Sequence, residues 1–146
     1  MKTFFKLLRF DFLPTGPNCG LLLLRLWLGL TVVILHGWTK LSNYSTMSSQ
    51  FPDPLGIGSR ASLSLAVFAE VICALLLAVG LFTRFAALAL AINMGVAFFM
   101  VHHATLKMGP GSGELAFIYL AGFITLFLGG PGKFSIDGKA AKAPPA

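Results

Sequence analysis

Between Leu21 and Leu41 the chain reads LLLLRLWLGLTVVILHGWTKL. Crossing the hydrocarbon of a bilayer takes about 20 predominantly apolar residues, and this run supplies them. Three further segments qualify: ASLSLAVFAEVICALLLAVGLF at 61–82, RFAALALAINMGVAFFMVHHA at 84–104, and GELAFIYLAGFITLFLGG at 113–130. A soluble domain would have to cover four such segments with polar residues. Only 11% of this chain is charged, against roughly 25% in soluble domains. The solvent must be largely lipid, and the expected fold is all-α, an integral membrane four-helix bundle.

Residues 1–20 read as a cytoplasmic or interfacial N-terminal segment, 21–130 as the four-span domain, and 131–146 as a cytoplasmic C-terminal tail. Pro and Gly mark the joints, at Pro52, Pro54, Gly56 and Gly58, at 109–113, and at Gly129-Gly130-Pro131-Gly132. Basic residues in short flanks stay on the cytoplasmic side. With the amino terminus inside, that side receives Lys2, Lys6, Arg9, Arg84, Lys133, Lys139 and Lys142, and the other only Lys40, Arg60 and Lys107. Both termini are therefore expected to be cytoplasmic. The net charge of +6 follows from this topology; the basic residues are dispersed, which gives no nucleic-acid surface. Lys6 and Arg9 interrupt the opening MKTFFKLLRFDFL, so it reads as a retained interfacial helix and not a signal peptide. Cys19 and Cys73 read as small buried hydrophobes, not a disulfide.

Threading the spans in alternate directions brings the candidate acids, bases and ligands into the outer half of the bundle. His36 and Lys40 end the first span, Glu70 lies near the middle of the second, His102 and His103 end the third, and Glu114 opens the fourth. An ionised carboxylate at the centre of a span costs about 2.5 to 3.5 kcal/mol, so Glu70 needs a partner or a proton. Helical spacing places Arg25, Gly29, Val32, His36 and Lys40 on one stripe, expected to face protein, and Ser62, Ala66, Glu70, Cys73 and Leu77 on another. A third stripe of small residues runs through Glu114, Ile118, Ala121, Gly122, Thr125 and Gly129. Glu70 and His36 are expected at the centre of a polar pocket, with Lys40 and one of His102 or His103 closing it from outside. Arg25 is expected to snorkel to the inner headgroups. Trp27, Trp38, Tyr44 and Tyr119 read as interfacial or packing aromatics, and Asn93 as an interhelical hydrogen-bonding residue. Met100, His102, His103 and Met108 form a soft-ligand cluster in which His102 and His103 are the candidate metal ligands.

The order RLWLGLTVVILHGWTKL, FAEVICALLLAVGLFTRFAAL, MGVAFFMVHHA and GELAFIYLAGFITLFLGGPGKFSID resembles the DoxX family of small bacterial membrane proteins, over about Leu21 to Asp137. The resemblance implies a four-helix membrane bundle, a bacterial inner-membrane location, and association with quinol oxidase, thiosulfate:quinone oxidoreduction or redox-stress complexes. On that footing the expected function is an integral subunit or accessory of a quinone-linked electron-transfer or redox-stress system, not an enzyme on its own. His36, Lys40, Glu70, His102, His103 and Glu114 would then line a quinone- or proton-binding pocket. The sequence carries no haem-attachment, iron-sulfur or Rossmann flavin motif. The residues themselves assign no cofactor; a bound quinone is what the resemblance implies, and partners would be the lipid bilayer, other membrane subunits and a redox partner. The competing expectations are a purely structural assembly subunit, and copper handling or small-solute transport.

Overall fold

The structure is a computed structural model that describes residues 6, 8–10, 16–107 and 109–141. Most of the MKTFFKLLRFDFL segment expected to lie along the interface, and Met108 of the soft-ligand cluster, fall outside the described residues. Every element among the described residues is helical. In chain order they are α1 (Pro17–Ser42), α2 (Tyr44–Met47), α3 (Ser59–Val79), α4 (Thr83–Val101), α5 (Glu114–Gly129) and α6 (Ile136–Ala140).

Helices α1, α3 and α4 are long and apolar enough to cross a membrane. Helix α5 is equally apolar but has 16 residues, about 24 Å at 1.5 Å per residue and short of a hydrocarbon core of about 30 Å. The four pack in a ring: α1 lies on the carboxy-terminal half of α3 and on α5, and α4 joins α3 to α5. The buried core is built from Val32 on α1, Cys73, Ala74 and Leu77 on α3, Ala86, Ala87 and Leu90 on α4, and Tyr119, Phe123 and Leu126 on α5. Large apolar side chains such as Trp27, Ile34, Trp38 and Leu128 point outward, the inverse of a soluble bundle and the expected arrangement for a protein dissolved in lipid.

Close approach of α1 to α3 depends on two glycines. A Cβ at Gly29 would come within 2.8 Å of the Ala74 carbonyl oxygen, and one at Gly37 within 2.6 Å of the Glu70 carbonyl oxygen. Either contact is shorter than a real Cβ tolerates, so only glycine permits this spacing. The stripes expected on the first two spans are indeed the inward faces: Arg25, Gly29 and Val32 are buried on α1, and Ser62, Ala66, Glu70, Cys73 and Leu77 on α3. On α5 the inward face is a different one. Ala116, Tyr119, Phe123 and Leu126 are buried, whereas Glu114, Ile118, Ala121, Thr125 and Gly129 are exposed. Two aromatic rings fill the core there; of the expected stripe, Gly122 is half-buried and close against Leu28 of α1, and Gly129 lies beside Leu21, while the other members face outward.

The segment after α5 is a strap across the end of the bundle where α1 and α4 begin. The Lys133 amide donates to Asn18 Oδ1 at 2.8 Å, and Arg25 Nη2 donates to the Phe134 carbonyl at 2.7 Å. The Asp137 amide donates to the Gly80 carbonyl at 2.9 Å. The Asp137 carboxylate receives the Phe82 and Thr83 amides and the Thr83 hydroxyl at 2.7 to 3.0 Å, which caps the amino terminus of α4 from outside the helix. Arg25 does not snorkel. It is fully buried beneath this strap, because a backbone carbonyl 109 residues away in the chain receives its guanidinium before the headgroups can. Gly80 makes room for it: a Cβ there would fall 1.9 Å from Arg25 Nη1, and the backbone sits at φ 76°.

Candidate functional site

Glu70 is a carboxylate in the middle of an apolar helix, and two neighbouring helices answer it. Lys40 Nζ of α1 donates to Oε2 at 2.5 Å, and Asn93 Nδ2 of α4 donates to Oε1 at 3.0 Å. The side chains of Glu70 and Lys40 are 6% and 19% exposed. A buried carboxylate must be paired and hydrogen-bonded to be tolerated, and here each oxygen has its own donor.

Three π-bulges surround this triad: Val33–Gly37 in α1, Phe68–Cys73 in α3 and Ala97–Val101 in α4. Such bulges concentrate at functional sites and change the angular register of the residues that follow. The first one explains the arrangement of α1. In an unbroken helix, His36 and Lys40 would share a face. The bulge instead turns Gly37 against the Glu70 peptide and carries Lys40 onto the Glu70 carboxylate. His36 is left half-buried, with its ring edge-on to Tyr119 of α5 at 5.8 Å. It still stands close enough to Lys40 and Glu70 to feel both charges.

The triad borders a cavity of about 460 Å³ between α3 and α4. Its walls are mainly apolar, with Leu65, Ala66 and Phe68 on one side and Ile92, Val96 and Val101 on the other. Phe51, Pro52, Pro54 and Leu55 of the α2–α3 loop also line it, at the end away from the strap. That loop is pinned by Asp53, whose carboxylate receives the Ser62 hydroxyl at 2.7 Å, the Gly58 amide at 2.7 Å and the Ile57 amide at 3.1 Å. These bonds, the Ser62 hydroxyl foremost, hold the Asp53 carboxyl below its ordinary value.

Of the six residues expected to share a pocket, Lys40, Glu70 and His102 line this cavity, whereas His36, His103 and Glu114 do not. At the end of α4, His103 and Ala104 take the left-handed conformation at φ 50° and 52°, and both side chains are exposed. The turn separates the two histidines. His102 remains on the cavity wall, its Nδ1 3.2 Å from the Gly111 carbonyl. A carbonyl only accepts, so Nδ1 is the donor in this contact. Glu114 is exposed in the first turn of α5. No group of three or more His, Cys, Asp or Glu side chains among the described residues is placed to hold a metal ion. Asn93 and Asp53 are the residues that sequence reasoning did not place at the site. For Asn93 the signal was there, a lone amide in a span facing the helix that carries the lone carboxylate.

A family model described as DoxX matches residues 20–103. Two proteins of Haemophilus influenzae, both described as uncharacterized, are similar over most of their length. One is 33% identical over 121 residues, covering 75% of this chain and 82% of the relative; the other is 29% identical over 126 residues, covering 84% and 83%. No solved structure matches. The matched segment contains α3, α4 and all but the first three residues of α1, and with them all three members of the Lys40–Glu70–Asn93 triad. With three membrane-competent helices and this match over more than half its length, the chain is a multi-pass membrane protein of the DoxX family.

Proposed function

We propose that this protein is a small integral subunit or accessory of a quinone-linked electron-transfer or redox-stress system in a bacterial inner membrane. In this reading the cavity between α3 and α4 seats a quinone head group. One observation carries it: an apolar, ring-sized cavity in a lipid-solvated bundle has the paired Lys40, Glu70 and Asn93 side chains on its wall. A quinone presents an apolar ring and two carbonyl acceptors. Lys40 has three ammonium protons and Asn93 two amide protons, and each directs one at Glu70. The protons left over are the donors such a carbonyl needs. Family membership supports the reading at the level of a DoxX-type membrane protein.

The reading includes a topology in which all four long helices cross, with both termini cytoplasmic. Arg84, Lys133 and Lys139 lie at the strap end of the bundle, and Arg60 and Lys107 at the other, an asymmetry that orients the strap end inward. Helix α5 spans by local thinning of the bilayer and by its flanking segments. Electrons come from and go to a partner subunit.

Gentle purification from native membranes, followed by identification of copurifying proteins and quinones, tests this. The expected result is stoichiometric quinone in the wild type, lost in Glu70→Leu and Lys40→Met proteins that still insert. A wild-type complex without quinone, whose activity is unchanged by Glu70→Leu, would assign the chain a purely structural role.

A further inference from the structure

The cavity is bordered by a loop at one end and by lipid-facing side chains along its flank. On the aqueous side lies the loop of Phe51, Pro52, Pro54 and Leu55, held down by the three bonds to Asp53. On the side facing lipid, the lining residues Leu65, Phe68 and Ile92 are 54%, 43% and 60% exposed. These three stand on the facing helices α3 and α4 and frame a gap between them. Depth adds a second constraint. Glu70 lies 11 residues beyond Ser59, the first residue of α3, which is about 16 Å at 1.5 Å per residue. That is roughly half of a hydrocarbon core of about 30 Å. A ligand arriving from water would have to pass the pinned loop and then descend through apolar walls. One dissolved in the bilayer reaches the gap at the right depth.

We infer that the ligand of this site is a long-tailed, membrane-dissolved molecule that enters sideways through the gap between α3 and α4. Its head group reaches Lys40 and Asn93, and its tail stays in lipid against Leu65, Phe68 and Ile92. This rests on the proposed quinone reading and narrows it from a head group to a tailed lipid with a lateral route. Ile92 and Leu65 become the residues that select for access, and the Asp53 loop becomes the cover that keeps water off the triad.

The test uses the full chain in nanodiscs of phosphatidylethanolamine and phosphatidylglycerol. Binding of a tailless benzoquinone and of a prenyl-tailed benzoquinone with the same ring is measured for wild type, Ile92→Trp and Leu65→Trp. Both positions face lipid, so a larger ring there leaves the fold intact, and an unchanged melting temperature verifies it. The expected result is a loss of at least tenfold in affinity for the tailed quinone in one or both variants, with the tailless one held within about twofold. Equal affinity of both variants for both ligands, at wild-type strength, would overturn the lateral route while leaving the quinone reading standing. Failure of both ligands to bind the wild type would overturn the quinone reading and the route with it.

Discussion

At the scale of residues, the site is one carboxylate and what it takes to keep it in the membrane. Breaking a buried pair by removing one partner leaves the other charge uncompensated, at a cost of about 3 kcal/mol or more. Lys40→Met and Glu70→Leu should each lower stability by about that amount in thermal or denaturant unfolding. Lys40→Met combined with Glu70→Leu should recover most of it. If the combined change costs the sum of the two, the pair contributes no coupling. Gly37 belongs to the same unit, because its missing side chain lets α1 lie on the Glu70 peptide. Gly37→Ala should destabilise by about 1 to 3 kcal/mol through overpacking. Gly95→Ala, in α4 with nothing within 4 Å of the new methyl, should be neutral or stabilise by up to about 1 kcal/mol. Equal losses at the two positions would show that the α1–α3 spacing is not what Gly37 sets.

At the scale of elements, the strap is the part that departs most from a bare four-helix bundle. Burial works against the Asp137 carboxylate, but the Thr83 amide and hydroxyl, the Phe82 amide and the Arg25 charge outweigh it and hold its carboxyl below the ordinary value. A carboxyl depressed on folding contributes stability that is complete above its unfolded value, about 3.9, and is lost as pH falls through the lower folded value. Wild-type protein should therefore lose melting temperature more steeply below about pH 4 than Asp137→Ala. At neutral pH the variant should be the less stable by about 1 kcal/mol, the worth of a helix cap. Parallel pH profiles would remove Asp137 from the account. Little of this strap was legible in GGPGKFSIDG, because its glycines, proline and lysine carry the composition of a tail, and its bonds reach residues 54 to 115 positions away. The spans and the inward faces of α1 and α3 were legible, since a 3.6-residue period survives even in apolar helices. On α5 the same reasoning found only the edge of the inward face: Gly122 meets Leu28 of α1, but in lipid apolar residues cover both sides, and Tyr119 and Phe123 fill the core. The π-bulges were equally silent, and the one in α1 separated His36 from Lys40.

At the scale of the whole molecule, the strap covers one end of the ring, a pinned loop lies over the other, and the cavity opens to the side. In the proposed topology the strap lies in the cytoplasm. A cysteine replacing Lys139 should accordingly react with a membrane-impermeant maleimide only in inverted vesicles, and one replacing Arg60 only in right-side-out vesicles. The reverse pattern would turn the bundle over and move the cavity to the inner leaflet. Lipid-facing access joined to a half-buried donor pair is the central claim, and a direct binding titration tests it most closely. Purified protein in nanodiscs should bind a benzoquinone saturably, and Lys40→Met should weaken that affinity at least tenfold, as expected when a hydrogen bond from a charged donor is lost. Equal affinity in wild type and Lys40→Met would contradict the assignment of the Lys40–Glu70–Asn93 triad as the quinone-binding floor of this cavity.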